Sequence, residues 1–374
     1  MTAATFPQSL TAADPVRYRA DLEQPEADEA ETIQGLTDAL HKVSATVYED
    51  SGHAERSVHA KSHALLRGVL QVDAGLPTTL AQGIFKTPGS YEVVMRFSTN
   101  PGDILNDKVS TPRGLAVKVL GVDGDRLPGS ENETSQDFVM QNAKAFTVPT
   151  PKAFLKNLKM LAGTTDKAPG MKQALSAVLR GLEKGIEAVG GESATLKSLG
   201  GHPLTHLLGE TYTTVLPLRY GDYVAKIAVV PVSAGLVPLK DAPVDLDDKP
   251  DGLREAMQTF FATQSAEWEI QVQLCTNLES MPIEDASKEW PEEQSPFVRV
   301  ATIRVDPQPA WTDARHALVD DSMAFGPWKG VVEHQPLGGV MRARKSTYTH
   351  SVDFRSQANG CPMRRLGKTA DLPD

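Results

Sequence analysis

The amino-acid sequence predicts an α+β protein whose core is an antiparallel β-barrel or sandwich. Short β-like runs recur between residues 65 and 305, and clusters of Gly, Pro and Asp separate them. Helical patterns do not alternate with these runs, as they would around a parallel sheet; they gather near both ends of the chain and in one insertion. This grouping favours an antiparallel sheet over a doubly wound one.

The first helix is predicted over residues 31–48. Apolar residues recur there at mixed spacings of three and four, which is typical of an amphipathic helix: Ile33, Leu36, Leu40, Val43 and Val47. Residues 1 to about 32 are polar and end in the acidic stretch 26–31, which indicates either a loose arm or the solvated start of that helix.

The strand predictions rest on β-like composition between turn signals. Runs at 66–72, 91–97 and 115–120 form the first group. The stretch 211–232 contains the turn residues Gly221 and Asp222 and therefore predicts a hairpin. A third group covers 267–274 and 298–305.

Helix signals fill an insertion and the tail. Thr150 followed by Pro151 is a typical N-cap and first helical position, so a helix is predicted over 151–163, and a second over 171–190 ends at two glycines. After Trp311 the chain is predicted to be helical again, over 314–325 and 338–358.

Composition excludes several function classes. The 374 residues are 40% apolar, enough for a sizeable core, and the net charge of −10 argues against a nucleic-acid partner. Cys275 and Cys361 are the only cysteines, so neither a disulfide framework nor a cysteine-based metal site is expected, and a reducing compartment fits best. No apolar run reaches 18 residues and no signal-like N-terminus is present, so we expect a cytoplasmic protein without membrane insertion.

The pair Arg344 and Tyr348 is the first candidate for chemistry. Residues four apart share a helix face, so the guanidinium is expected to reach the phenol oxygen. A free phenol has a pKa of about 10, and an adjacent permanent cation favours the phenolate, the form that binds a metal. Taken alone, this spacing is more typical of a solvated surface contact.

His59 is the second candidate, in the segment from Arg56 to Lys61. Imidazole is an acid–base group at neutral pH, and Arg56 offers a cation for a carboxylate. Two further segments, at 95–100 and 111–118, are β-like runs with flanking polar residues, and a third, at 136–146, supplies side-chain amides beside an apolar run.

Taken in order, these segments resemble those of heme catalases. Five matches lie in the family's order: an Arg-x-Val-His-Ala-Lys segment, an Arg-Phe-Ser-Thr strand, a Thr-Pro-Arg-Gly segment, an Asp-x-Ser-Lys-x-Trp-Pro segment and an Arg-x-x-x-Tyr helix, at 56–61, 96–99, 111–118, 285–291 and 344–348. The resemblance implies the catalase β-barrel and a heme b cofactor with ferric iron.

The resemblance also implies roles for individual residues. His59 would be the distal acid–base residue, Ser98 would fix its tautomer, and Tyr348 would be the proximal iron ligand, held as a tyrosinate by Arg344. Val58 would narrow the channel above the iron. The remaining cofactor-binding side chains implied are those of Arg56, Arg96 and Arg355 at the propionates and Phe154 over the heme rim.

Two positions depart from the family pattern. An ungapped alignment puts Gln141 where catalases have the distal asparagine, with Asn142 beside it; the shorter reach of asparagine favours Asn142, and Gln141 remains the alternative. Leu115 replaces an aromatic residue at the heme face, which removes a stacking partner worth about 0.5 to 1.5 kcal/mol.

The chain is short for this family, so it resembles a minimal catalase core with an open distal side. We expect a peroxidase that reduces H2O2 or organic hydroperoxides with an organic donor, with dismutation of H2O2 as a second activity. The alternatives are a fatty-acid hydroperoxide converter of the allene oxide synthase type, disfavoured because Val58 stands where that branch has threonine, and a non-catalytic heme-binding protein.

The expected organisation has three parts. Residues 1–50 form an arm and helix, residues 51–310 form the barrel with a helical insertion at about 150–210, and residues 311–374 carry the proximal ligand. A homo-oligomer is expected, either a dimer or a tetramer.

Overall fold

One antiparallel sheet dominates the computed structural model, which describes residues 14–109, 111–162 and 203–374. Within these ranges the sheet has nine strands, in the order β5-β4-β3-β2-β1-β9-β8-β7-β6. They are β1 Lys61–Val72, β2 Ser90–Thr99, β3 Arg113–Leu120, β4 Ser135–Gln141, β5 Tyr212–Thr213, β6 Leu218–Tyr220, β7 Tyr223–Pro231, β8 Ala266–Leu274 and β9 Val298–Val305.

The sheet closes on itself through β5. This short strand pairs with β4 through Thr213 and with β7 through Tyr212 and Thr213, which joins the two ends of the sheet. Eight strands therefore form a closed antiparallel barrel, and β6 pairs with β7 as a hairpin arm beside it. The predicted α+β fold with a β-barrel core is confirmed.

The alternation of side chains along β2 explains how the barrel presents polar groups on its outside. Val93, Met95 and Phe97 point into the barrel core, where they are fully buried. Val94 lies on the opposite face, in a second cluster outside the barrel, and Arg96 shares its parity. The outer face of β2 is thus buried too, under the segment that follows β9.

Five α-helices occur in the described ranges, and they lie outside the barrel. They are α1 Glu29–Ser51, α2 Pro151–Ala162, α3 Gly252–Phe261, α4 Asp313–His316 and α5 Gly339–Ala358. α1 packs against α2 and α5, and a π-helical turn, Ala317–Asp321, follows α4 directly. None of the helices in these ranges is long and apolar enough to cross a membrane.

Most predicted elements are confirmed, with differences that have physical reasons. β4 was not predicted, because its buried Asp137 reads as a turn residue; Lys118 on β3 neutralises it, with Nζ–Oδ distances of 2.6 and 2.8 Å. The helix predicted over 314–325 is shorter, ending at Asp321, and α3 was missed. The helix predicted over 171–190 lies outside the described residues, and the three-part division of the chain stays a prediction.

A histidine lies among aromatic rings in the interior of the barrel. The ring of His334 is 5.9, 5.6 and 5.7 Å from the rings of Phe85, Phe138 and Tyr220, and its Nε2 accepts a hydrogen bond from the Ile84 amide at 3.0 Å. Burial lowers the pKa of His334 to about 3. The histidine is therefore neutral in the folded protein over the whole neutral range.

This burial predicts acid destabilisation. Between pH 6.5 and about pH 3, His334 binds a proton in the unfolded chain but not in the folded chain. The free energy of unfolding therefore decreases as the pH falls through that window. The slope from this group is at most about 1.4 kcal/mol per pH unit. Urea unfolding should show that the free energy of unfolding decreases less between pH 7 and pH 5 for His334→Gln than for the wild type. An equal loss in both proteins would contradict the assignment.

Candidate functional site

A cavity lies between the outer face of the barrel and helix α5. The space free of atoms between them is about 570 Å³, including the part open to solvent. The barrel wall is formed by strands β2, β3 and β4 and the helix wall by α5. The apolar lining residues are Val58, Leu115, Ala116, Val139, Met140, Phe325 and Val352.

The backbone at His59 holds the imidazole at the barrel wall. His59 has a φ of 54°, in the left-handed region that a residue with a Cβ rarely adopts. Two contacts fix it there: its amide donates to Asn100 Oδ1 at 3.2 Å, and its carbonyl accepts from Arg96 Nη2 at 2.9 Å. A backbone held in this way sets the direction of the ring.

The ring of His59 packs against Gly114 of β3. A Cβ at residue 114 would lie 2.6 Å from His59 Nδ1, so only glycine leaves room for the imidazole. Ser98 Oγ lies 3.4 Å from Nδ1, and Gln141 Nε2 lies 3.5 Å from Nε2. Each ring nitrogen thus has one polar neighbour on the barrel.

The electrostatic surroundings keep His59 neutral. Burial lowers its pKa to about 3, and the nearby cations of Arg96 and Arg344 add to the shift. A neutral imidazole is a proton acceptor at every pH from about 4 upward.

Three arginines gather at one side of the cavity around Asp320. Arg96 Nε lies 2.5 Å and Arg56 Nε 3.6 Å from Asp320 Oδ1, while Arg355 Nη1 donates to the Asp320 carbonyl at 2.6 Å. Burial would raise the pKa of Asp320, but Arg96 and a hydrogen bond from His316 hold it well below its usual range. One carboxylate therefore stays ionised among several cations.

This arginine group keeps unused hydrogen-bonding capacity. The Nε atoms of Arg56 and Arg355 are buried and make no hydrogen bond in the described part of the structure. Burial, Arg355 and Arg96 push the pKa of Arg56 well below its usual value, although a guanidinium stays charged at neutral pH. Such a cluster is suited to receive an anionic group.

Tyr348 reaches the cavity from α5, and Arg344 does not bond to it. Arg344 Nη1 lies 3.9 Å from Met341 Sδ, and its Cζ lies 5.6 Å from the centre of the Phe146 ring. Within the described ranges no hydrogen bond joins Arg344 to Tyr348. The helical spacing predicted such a contact; the structure instead places the guanidinium over an aromatic ring, where a cation–π attraction competes for it.

The two candidate amides are placed differently. Gln141, the last residue of β4, faces His59, whereas Asn142 turns away: its Oδ1 accepts from the Arg113 amide at 2.9 Å and its Nδ2 donates to Glu210 Oε2 at 3.3 Å. The sequence argument favoured Asn142, and the geometry favours Gln141 instead. The reason is strand parity, because adjacent residues point to opposite faces.

The other predicted residues are brought together in part. Arg56, Val58, Arg96, Ser98 and Arg355 line the cavity with His59 and Tyr348. Phe154 does not line it; its ring packs 5.2 Å from Phe146.

Sequence reasoning missed several lining residues. Ser351 and Val352 lie three and four positions after Tyr348, so the helix face of Tyr348 would have found them. Gly114 lies in the Thr-Pro-Arg-Gly segment but was given no role, and Phe325 had no such signal, since a lone aromatic residue is common. Among the described residues no group of three or more His, Cys, Asp or Glu side chains is arranged to hold a metal ion.

The comparisons with known proteins identify the fold. No protein-family model matches the chain, and no curated protein matches it. It is similar to the solved structures of a fungal catalase (18% identity, TM-score 0.57, covering 96% of this chain and 70% of that one) and of catalase A from Saccharomyces cerevisiae (17%, 0.58, 93% and 68%). A bacterial catalase structure is similar as well (14%, 0.55, 100% and 69%). The chain therefore has a catalase-type fold.

Removing the charge of Asp320 should destabilise the protein strongly. Asp320→Asn leaves Arg96 and Arg56 without their counter-ion, and an uncompensated buried charge costs about 3 to 5 kcal/mol. The measurement is the free energy of unfolding in urea. Asp306→Asn is the matched control, because the Arg304–Asp306 pair is exposed and should contribute at most about 1 kcal/mol. Equal effects of the two substitutions would show that Asp320 does not organise the arginines.

Proposed function

We propose that the protein is a heme-dependent enzyme that reduces H2O2 or organic hydroperoxides, using an organic electron donor, and also dismutates H2O2. The observation that carries the proposal is the composition of the cavity. A neutral histidine lies at the barrel wall, a tyrosine reaches in from α5, and an arginine cluster lies at the side. The catalase-type fold supports the same reading at the level of the fold.

The residues present fit a heme. A porphyrin is a flat apolar body with two carboxylates, and this cavity offers an apolar lining with buried cations at one side. The buried Nε of Arg355, which makes no hydrogen bond in the described part of the structure, is suited to a propionate. Tyr348 lines the cavity and offers its phenol oxygen as a ligand for the iron.

The cofactor-binding roles follow from these positions. Tyr348 would ligate the iron, and Arg56, Arg96 and Arg355 would hold the propionates. The positive charge of Arg344 would favour the phenolate form of Tyr348 without a hydrogen bond, because the Arg344 guanidinium lies over Phe146. Val58 and Leu115 would pack against the macrocycle.

Bound heme would supply the redox chemistry of peroxide reduction. The chain's own residues would move the protons. Nδ1–H of His59 donates to Ser98 Oγ in this proposal, so Nε2 keeps its lone pair and takes the proton of bound peroxide. The same Nε2–H then protonates the departing oxygen, which leaves as water.

Gln141 is proposed as the amide that orients the peroxide. Its side-chain nitrogen lies 3.5 Å from His59 Nε2, so the amide lies beside the ring nitrogen that would take the proton. An amide beside the base holds the substrate oxygen in line for proton transfer. Asn142, bonded to Glu210 and the Arg113 backbone, would support the end of β4 instead.

The direct experiment is to titrate the purified protein with hemin and assay the loaded protein. We expect saturable binding at one heme per chain, consumption of H2O2, and oxidation of a phenolic donor that depends on peroxide. Conversion of a fatty-acid hydroperoxide without a donor would favour the allene oxide synthase type of reaction. Heme binding with no turnover of any peroxide would leave only a heme-binding protein.

Replacing His59 should abolish turnover but not heme binding. His59→Ala removes the proton acceptor, and general acid–base catalysis contributes about 10²- to 10⁴-fold, so kcat/KM for H2O2 should fall by at least about 100-fold. His53→Ala is the control, because that histidine bonds Asp321 outside the cavity. Undiminished turnover by His59→Ala would remove the distal role.

The pH profile tests the state of His59. Since its pKa is lowered to about 3, the base remains neutral as pH falls from 8 to 5. We therefore expect kcat/KM for H2O2 to change less than about twofold over that range. A tenfold decline with an apparent pKa near 6.5 would show an imidazole that is not shielded as the structure has it.

A further inference from the structure

Helix α5, which carries Tyr348, begins at a residue that cannot cap it. Gly338 is the N-cap and has a φ of 87°, a conformation that favours glycine. A Cβ there would also lie 2.5 Å from the Ile283 carbonyl oxygen, so no larger residue fits. The first amides of the helix therefore need acceptors from elsewhere in the chain.

Two carboxylates from distant segments supply those acceptors. Glu23 Oε1 accepts from the Gly338 amide at 2.9 Å, and Glu284 Oε2 accepts from the Gly339 amide at 2.7 Å. Glu23 precedes α1, and Glu284 lies between β8 and β9. Negative charge at a helix N-terminus is stabilised by the helix dipole.

One arginine in the first turn of α5 holds this arrangement together. Arg342 Nη1 contacts Glu23 at 2.6 Å, Nη2 contacts Glu284 at 3.0 Å, and both Nε and Nη2 bind Glu29 at 2.7 Å. The side chains are 16%, 14%, 13% and 31% exposed, for Arg342, Glu23, Glu29 and Glu284, so the group is largely shielded from water. We call these four residues the Arg342 clamp.

The clamp is where the N-terminal segment, residues 14–29, reaches the helix. Further back, this segment is bonded to the barrel, through Val16 N to Cys275 O at 2.8 Å and Tyr18 N to Asp222 O at 2.7 Å. Gln24 N donates to Glu284 Oε1 at 2.8 Å. The segment thus links the barrel to the start of α5.

We propose that Arg342 is a positioning residue for the heme site and that the N-terminal segment is a working part of that site. Tyr348 follows Arg342 by six residues, about 9 Å along the helix axis. While Arg342 stays bound to its three carboxylates, the first turn of α5 cannot fray or shift along the barrel. The phenol of Tyr348 then keeps its position in the cavity. The link between clamp and helix stands on the geometry alone, and its effect on the iron ligand rests on the proposed function.

The test compares full-length variants by peptide-resolved hydrogen exchange, with and without bound heme. Arg342→Gln removes the charge, and Arg342→Lys keeps it without the planar guanidinium that binds three carboxylates at once. Glu29→Gln is a milder variant, should Arg342→Gln fail to fold. Arg304→Gln is the control, since its pair with Asp306 is exposed.

We expect Arg342→Gln to speed amide exchange about tenfold or more in residues 14–29 and in 339–350 together, because charge-assisted hydrogen bonds are lost at both. Arg342→Lys should fall between wild type and Arg342→Gln, and Arg304→Gln should match wild type. Faster exchange confined to residues 14–29, or in neither segment, would overturn the coupling.

Heme release gives the second readout. Transfer of heme to an excess of acceptor protein should be about tenfold faster from Arg342→Gln than from wild type, with a changed absorption spectrum, and unchanged in Arg304→Gln. Wild-type rates and spectrum in Arg342→Gln would overturn the positioning role. If the wild type binds no heme, the proposed function fails, and the exchange experiment still decides whether the clamp holds α5.

Discussion

The buried carboxylate of Asp320 is the interaction on which the rest of the site depends. It accepts hydrogen bonds from Ser62 of β1 and Arg96 of β2 at 2.6 and 2.5 Å, and its backbone carbonyl accepts from Arg355 of α5. Two adjacent strands of the barrel and helix α5 thus meet at one residue of a π-helical turn. Without that negative charge, Arg96 and Arg56 would repel each other in a place that water does not reach. The arginine cluster that forms a wall of the cavity is therefore stable only because the ionised carboxylate of Asp320 is buried within it.

The β-barrel determines which side chains face the cavity. Because side chains alternate along a strand, the row that fills the barrel with Val93, Met95 and Phe97 leaves Arg96 and Ser98 on the outside. The outer face is then covered by α5 and the chain before it, so polar groups that would otherwise be solvated become buried. Burial, with Arg96 and Arg344, is also what keeps His59 neutral.

Sequence alone predicted the barrel and about half of the lining residues, because those residues lie in segments whose local order is distinctive. It failed where the outcome depends on packing. Which of Gln141 and Asn142 faces His59 follows from the parity of β4, a strand that was itself missed because Asp137 is buried against Lys118. Helical spacing predicts a contact between Arg344 and Tyr348. The guanidinium instead lies over the ring of Phe146, almost 200 residues earlier in the chain. The acceptors that cap α5 come from residues 23 and 284, a pairing no local pattern contains.

The central claim is that Tyr348 ligates the iron of a heme held in this cavity. The most direct test is the absorption spectrum of hemin-loaded Tyr348→Phe, compared with the wild type and with Tyr48→Phe, whose ring packs against Phe354 and does not line the cavity. We expect Tyr348→Phe alone to lose the ligand bands of the wild-type spectrum and to bind heme at least about tenfold more weakly, because a metal ligand is lost. A spectrum and an affinity identical to those of the wild type would contradict it.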